Sequence, residues 1–146
     1  MRSRATASIA LLSCASLVVA QEFSDFTAWM KSSDTSMKAL NKLPAKSGQD
    51  AVREAERLGA VYENMIGFWR QRNAADAVKW SEQGKAAAAQ LASAAHAENA
   101  TEAATAFKTL AGTCRACHEA HRIKLPDGRF AFKPPSDRRP AAAKKK

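Results

Sequence analysis

Cys114-Arg115-Ala116-Cys117-His118 is the stretch of this chain whose residue types and spacing point most directly to chemistry. Two thiols three residues apart lie about one helical turn apart. Each can add its S–H across one vinyl group of a single porphyrin, leaving two thioether bonds along one edge. His118 follows Cys117 and lies four residues from Cys114, so its imidazole reaches the iron from the same side. This is the C-x-x-C-H pattern of covalent haem attachment. At the chain's own Cys and His frequencies it arises by chance in about one chain per thousand. Three other readings fit less well. A Cys114–Cys117 disulfide would close a very small loop inside a helix. A thioredoxin-type pair needs a strand and a βαβ setting that the sequence lacks. A zinc site needs a fourth ligand, and only His96 and His121 remain among the histidines.

Four helical stretches have to position this motif. The first runs from about Ser24 to Asn41, with Phe23, Phe26, Met30, Ser33, Met37 and Leu40 recurring at steps of three and four. Leu43-Pro44 and Ser47-Gly48 punctuate it. The second runs from about Gln49 to Arg72, with Val52, Ala55, Leu58, Tyr62, Met65, Ile66 and Trp69 inward. Asn73 separates it from a third, about Ala74 to His96, in which Ala77, Trp80, Gly84, Ala87, Leu91 and Ala94 keep the spacing. Asn99 with Glu102 three residues later reads as a capping box. It opens a fourth helix to about Lys124, whose inner face carries Ala103, Ala106, Phe107, Leu110, Cys114, Cys117 and His121. No strand pattern is convincing. Each helix is apolar on one side only, so the faces must pack together. Short connections imply antiparallel neighbours, an all-α, up-and-down four-helix bundle holding a covalently bound haem.

The ends read differently. Arg2 and Arg4 precede an apolar stretch, Ile9 to Ala20, and Val18-Val19-Ala20 before Gln21 suits cleavage, so residues 1–20 read as a signal peptide. Export places the protein in the periplasm, an oxidising compartment that suits haem attachment. Leu11-Leu12-Ser13-Cys14 offers a rival reading as a lipoprotein site, weakened by the apolar residues that follow Cys14. The apolar run is short for a membrane span, and no second one follows. The domain is then 21–125, and 126–146, with four Pro and a closing Ala-Ala-Ala-Lys-Lys-Lys, reads as a poorly ordered basic tail.

The fourth helix resembles the class II c-type cytochromes, cytochrome c-prime and its low-spin relatives. Thr113-Cys114-Arg115-Ala116-Cys117-His118-Glu119-Ala120-His121-Arg122 is similar to their usual ending, with His121 where an aromatic Tyr is common. The resemblance covers roughly residues 21–125 and is specific in the last helix. It implies one haem c per chain, His118 as the proximal iron ligand, and Arg122 beside a haem propionate. It also implies a distal residue on the first helix, often Met, seven residues before a second apolar position. Met30 and Met37 have that separation, so Met30 is the candidate distal ligand. The family's frequent Arg four residues earlier is replaced by Phe26. A His/Met pair gives low-spin iron of raised potential, suited to single-electron transfer without ligand exchange. The alternative keeps Met30 as core packing. Iron is then five-coordinate behind an apolar pocket that admits NO or CO.

The remaining expectations concern partners. The chain has 146 residues, 23 Lys+Arg against 14 Asp+Glu and a formal charge of +9; losing Arg2 and Arg4 leaves 21 basic residues and +7. Such a surface steers docking to acidic redox proteins. Nucleic-acid binding fits poorly with export, while peripheral contact with an anionic membrane stays open. Related bundles often dimerise through their first two helices. No acid–base or nucleophilic constellation indicates an enzyme. His121 is expected to be partly exposed, and Trp69 and Trp80 to be core or haem-packing aromatics.

Overall fold

The computed structural model describes residues 10–133, with side chains from Phe23 onward. The expectations for residues 1–9 and 134–146 lie outside the described residues. Four helices follow in order: α1 (Ala10–Lys42), α2 (Gln49–Gln71), α3 (Ala75–His96) and α4 (Ala100–His121). A short hairpin closes the described chain, β1 (Arg122–Lys124) and β2 (Phe130–Phe132). The bundle is therefore as the periodicity predicts, and the expectation of no strands is corrected.

The helix boundaries have local causes. No Gly or Pro interrupts α1, so it starts at Ala10 instead of Ser24. Asn73 ends α2 in the left-handed region at φ 52, where Asn is tolerated. Asn99 caps α4 as expected, its side chain accepting from the Glu102 N–H. Helix α4 stops at His121, short of Lys124, because Arg122 turns extended (φ −113, ψ 135) and enters the hairpin. The turn there is Leu125-Pro126-Asp127-Gly128. The Gly128 N–H donates to the Leu125 carbonyl at 2.9 Å, and Gly128 takes φ +85, a conformation that suits glycine. Strands of three residues are too short to show a period of two in the sequence.

Cross-helix contacts fix the directions. Arg70 meets Glu82 at 2.9 Å, and Lys85 pairs with Glu63, so α2 and α3 are antiparallel. Phe26 packs on Phe68 (ring centroids 4.4 Å), setting α1 antiparallel to α2. Tyr62 reaches Thr113 and Trp69 reaches His121, so α2 and α4 run the same way. Helix α3 is closely joined to both α2 and α4, whereas α1 rests chiefly on α2 and its backbone barely meets that of α4.

The core follows the predicted stripes in α2, α3 and α4. Leu58, Trp69, Leu91 and Leu110 are almost fully buried, with a bed of alanines between them. In α1 the stripe is only partly covered: Phe26 and Leu40 are buried, Met30 and Met37 are half-buried, and Phe23, expected inward, is 44% exposed. Ser36 takes the buried place beside Met37. A helix resting on one neighbour buries a narrower face than one wedged between two.

Candidate functional site

Cys114, Cys117 and His118 sit on the last two turns of α4. Both cysteines are free thiols. Cys114 is half-buried, and its sulfur lies 3.2 Å from the Tyr62 hydroxyl, which also meets Thr113 Oγ1 at 3.2 Å. Burial, followed by the neighbouring Cys114 thiol, pushes the Tyr62 phenol well above its ordinary range. Cys117 is 8% exposed. Burial, then the charges of Cys114 and Asp76, push its thiol up to about 12, with Arg122 opposing. His118 is half-buried, and burial followed by the Arg122 charge holds its imidazole below the ordinary value. A neutral ring keeps a lone pair available for a metal.

Below this level the four helices and the hairpin share an aromatic cluster. Trp69 packs against Phe26 (5.5 Å), His121 (4.8 Å) and Phe132 (5.3 Å). His121, expected to be partly exposed, is 2% exposed, because the hairpin folds back over it and its Nε2 stands 3.1 Å from Asp76 Oδ2. Lys133 N–H donates to the His121 carbonyl at 2.8 Å and fastens the hairpin there. Trp69 is a core aromatic as expected, and Trp80 is half-buried, packed against the core 6.0 Å from His121.

Met30 lies four residues above Phe26 on α1, and Cys117 four residues above His121 on α4. Four residues rise about 6 Å. Phe26 and His121 both pack on Trp69, so Met30 and Cys117 stand at similar heights on two helices whose backbones barely meet. Arg122 begins β1, exposed, with its guanidinium 4.3 Å over the Phe130 ring. Its charge is felt at Cys117 and His118. The structure thus gathers Cys114, Cys117, His118 and Arg122 at one end of α4, with Met30 level with them on α1.

Three observations bear on whether a haem fits. The donor set is right for it: two unoxidised thiols and a neutral imidazole within five residues. The backbones of α1 and α4 barely approach each other, and Met30 on α1 stands level with Cys117 on α4. Trp69 Nε1 is a buried donor without an acceptor among the described residues, which a carboxylate on a bound group would satisfy. Two open surface depressions lie away from these residues. One is on α1 at Phe23, Thr27 and Lys31; the other is between α1 and α2 at Trp29, Glu63 and Phe68.

Sequence reasoning missed Asp76 as the partner of His121, Tyr62 as the partner of Cys114, and Phe132 as the hairpin's anchor. Asp76 and Tyr62 pair with residues 45 and 52 positions away, and no local pattern carries such information. No protein-family model, curated protein or solved structure matches the chain.

Proposed function

We propose that the protein is a periplasmic monohaem c-type cytochrome that carries single electrons, of the kind the fourth helix resembles. The observation that carries this reading is a C-x-x-C-H motif with both thiols free, at the end of the last helix of a four-helix bundle. One haem c per chain would be held by Cys114 and Cys117, with His118 as proximal ligand and Met30 as distal ligand. The bound group supplies reversible one-electron chemistry at its iron.

The chain's own residues would do the rest. Cys114 and Cys117 hold the group through changes of redox state. His118 offers a neutral imidazole, and Met30 a soft thioether that favours the reduced iron. Phe26, Phe68, Trp69 and Phe132 keep water from this end of the bundle, which further raises the potential. Arg122, already beside His118, would face a propionate. Electrons would come from and go to other redox proteins.

One observation favours a second reading. Met30 is only half-buried and has Phe26 one turn below it, where the family that the fourth helix resembles frequently has Arg. A distal side this apolar would admit NO or CO if Met30 stays off the iron.

Expression with a haem-attachment system should give a pyridine haemochrome spectrum typical of two thioethers; a colourless chain would remove both readings. Reduced protein that resists CO favours the electron carrier, and rapid stoichiometric binding favours the ligand binder. Met30→Ala should convert low-spin iron to high-spin, and an unchanged spectrum would remove Met30 from the ligand set.

A further inference from the structure

Cys114 and Cys117 are free thiols held in different ways. Cys117 is 8% exposed, shielded by the packing around α4. Cys114 is half-buried, and a side chain of another helix reaches it: the Tyr62 hydroxyl of α2 lies 3.2 Å from its sulfur. The more open of the two thiols is the one that Tyr62 holds.

The direction of that contact follows from counting hydrogens. Thr113 Oγ1 stands 2.8 Å from the Leu110 carbonyl, which only accepts, so the single Thr113 hydrogen goes there. The Tyr62 hydroxyl, 3.2 Å from the same Thr113 oxygen, therefore donates to it. Its one hydrogen is then used, and towards the sulfur it accepts from the Cys114 S–H. The chain of donors runs from Cys114 to Tyr62, then to Thr113, then to the Leu110 carbonyl.

The fold makes room for this phenol. Gly84 lies inside α3, where glycine is less favourable than the alanines around it. A Cβ there would run into the Tyr62 ring, which is 4% exposed. The notch accounts for a ring but not for a hydroxyl. A Phe ring would fill it equally, and Thr113 already gives its hydrogen to Leu110. What the hydroxyl adds is its hold on Cys114.

We propose that Tyr62 is a positioning residue that pins the Cys114 sulfur to α2 and keeps it from side reactions until it is joined to haem. The proposal rests on the cytochrome reading, which gives both sulfurs a use and an oxidising compartment to survive. The reaction held back is exchange with a small disulfide such as oxidised glutathione. In it the Cys114 sulfur bonds to one disulfide sulfur, and the other sulfur leaves and takes up the thiol proton. A sulfur held by Tyr62 must leave that contact before it meets a reagent in solvent. Joining to haem instead consumes the S–H, the first donor of the chain. Tyr62 still donates to Thr113, so no donor is orphaned.

The test uses the full chain with free thiols, treated under native conditions with oxidised glutathione or iodoacetamide. Trypsin cuts after Arg115, between the two cysteines, so mass spectrometry scores each sulfur separately. Tyr62→Phe keeps the ring in its notch and removes only the hydroxyl. It should speed modification of Cys114 about fivefold, the worth of one net hydrogen bond, and leave Cys117 at the parent rate. Gly84→Ala keeps the hydroxyl, displaces the ring and should raise the same Cys114-to-Cys117 ratio. A ratio unchanged in either variant, or a slower Cys114, would overturn the proposal. Two thiols that speed up together would also overturn it, since loosening of the fold alone does that. Made beside haem-attachment machinery, the parent should carry haem through both sulfurs. A colourless parent removes the cytochrome reading, whereas an unchanged ratio in a parent that loads fully removes the role of Tyr62 alone.

Discussion

Helices α2, α3 and α4 form one side of this molecule, and α1 with the terminal hairpin forms the other. The two sides are built on different principles. The first is alanine-rich and closely packed: Ala55, Ala77, Ala87, Ala88, Ala95 and Ala103 are all buried, and Gly84 lets the Tyr62 ring approach so closely that a Cβ would sit 2.4 Å from it. The second side is held by large rings at one end, with half-buried Met30 and Met37 above them. Small residues fix helix spacing tightly, whereas rings and methionines tolerate repacking. The tight side therefore determines where Cys114, Cys117 and His118 stand. The looser side is the one that can adjust to a bound group.

Four changes probe that contrast. Trp69→Ala removes the ring that both sides share and should cost about 3–5 kcal/mol in urea unfolding. A loss below about 1 kcal/mol would mean that the aromatic cluster does not join the sides. Gly84→Ala gains about 1 kcal/mol of helix propensity. It must also displace Tyr62 from its contacts with Thr113 and Cys114, and overpacking of this kind costs about 1–3 kcal/mol. Net destabilisation is expected, and a stabilised variant would show that the tight side yields.

The third change is one of pH, in protein whose thiols are free. The Cys117 thiol is raised from 9.0 to about 12. The folded state therefore keeps a proton that the unfolded state releases. That contribution is fully present below pH 9 and is lost as the pH rises toward 12. Urea unfolding should show about 1 kcal/mol less stability at pH 10 than at pH 8 from this thiol. The loss should vanish once the sulfur is carried in a thioether. A free-thiol chain with no such loss would contradict the burial of Cys117.

The smallest effect is a gain. Gly67→Ala lies within α2, where an added Cβ meets nothing within 4 Å, and should stabilise by about 0.5–1 kcal/mol. Destabilisation there would mean that the α1–α2 face is closer than the structure has it.

Much of the bundle was legible because its signals are local. The apolar stripe of α2 gave Leu58, Tyr62, Met65 and Trp69, and all are buried. Asn99 and Glu102 marked the start of α4 to the residue. The hairpin was not legible, since Pro126 and Gly128 signal a turn but three-residue strands carry no period. The burial of His121 is hidden from the sequence for a related reason: it depends on Phe132 and Asp76, which only the folded chain brings close. The C-x-x-C-H motif is a pattern of spacing visible in the sequence, whereas the similar heights of Met30 and Cys117 on two helices need the tertiary structure.

The central claim is a covalent bond between this chain and a porphyrin at Cys114 and Cys117. Mass spectrometry of the denatured chain, made alongside haem-attachment machinery and extracted with acid and acetone, tests it directly. The account predicts a mass of polypeptide plus one haem, with neither Cys114 nor Cys117 open to alkylation. A colourless chain of bare polypeptide mass, with both thiols alkylated, would contradict it.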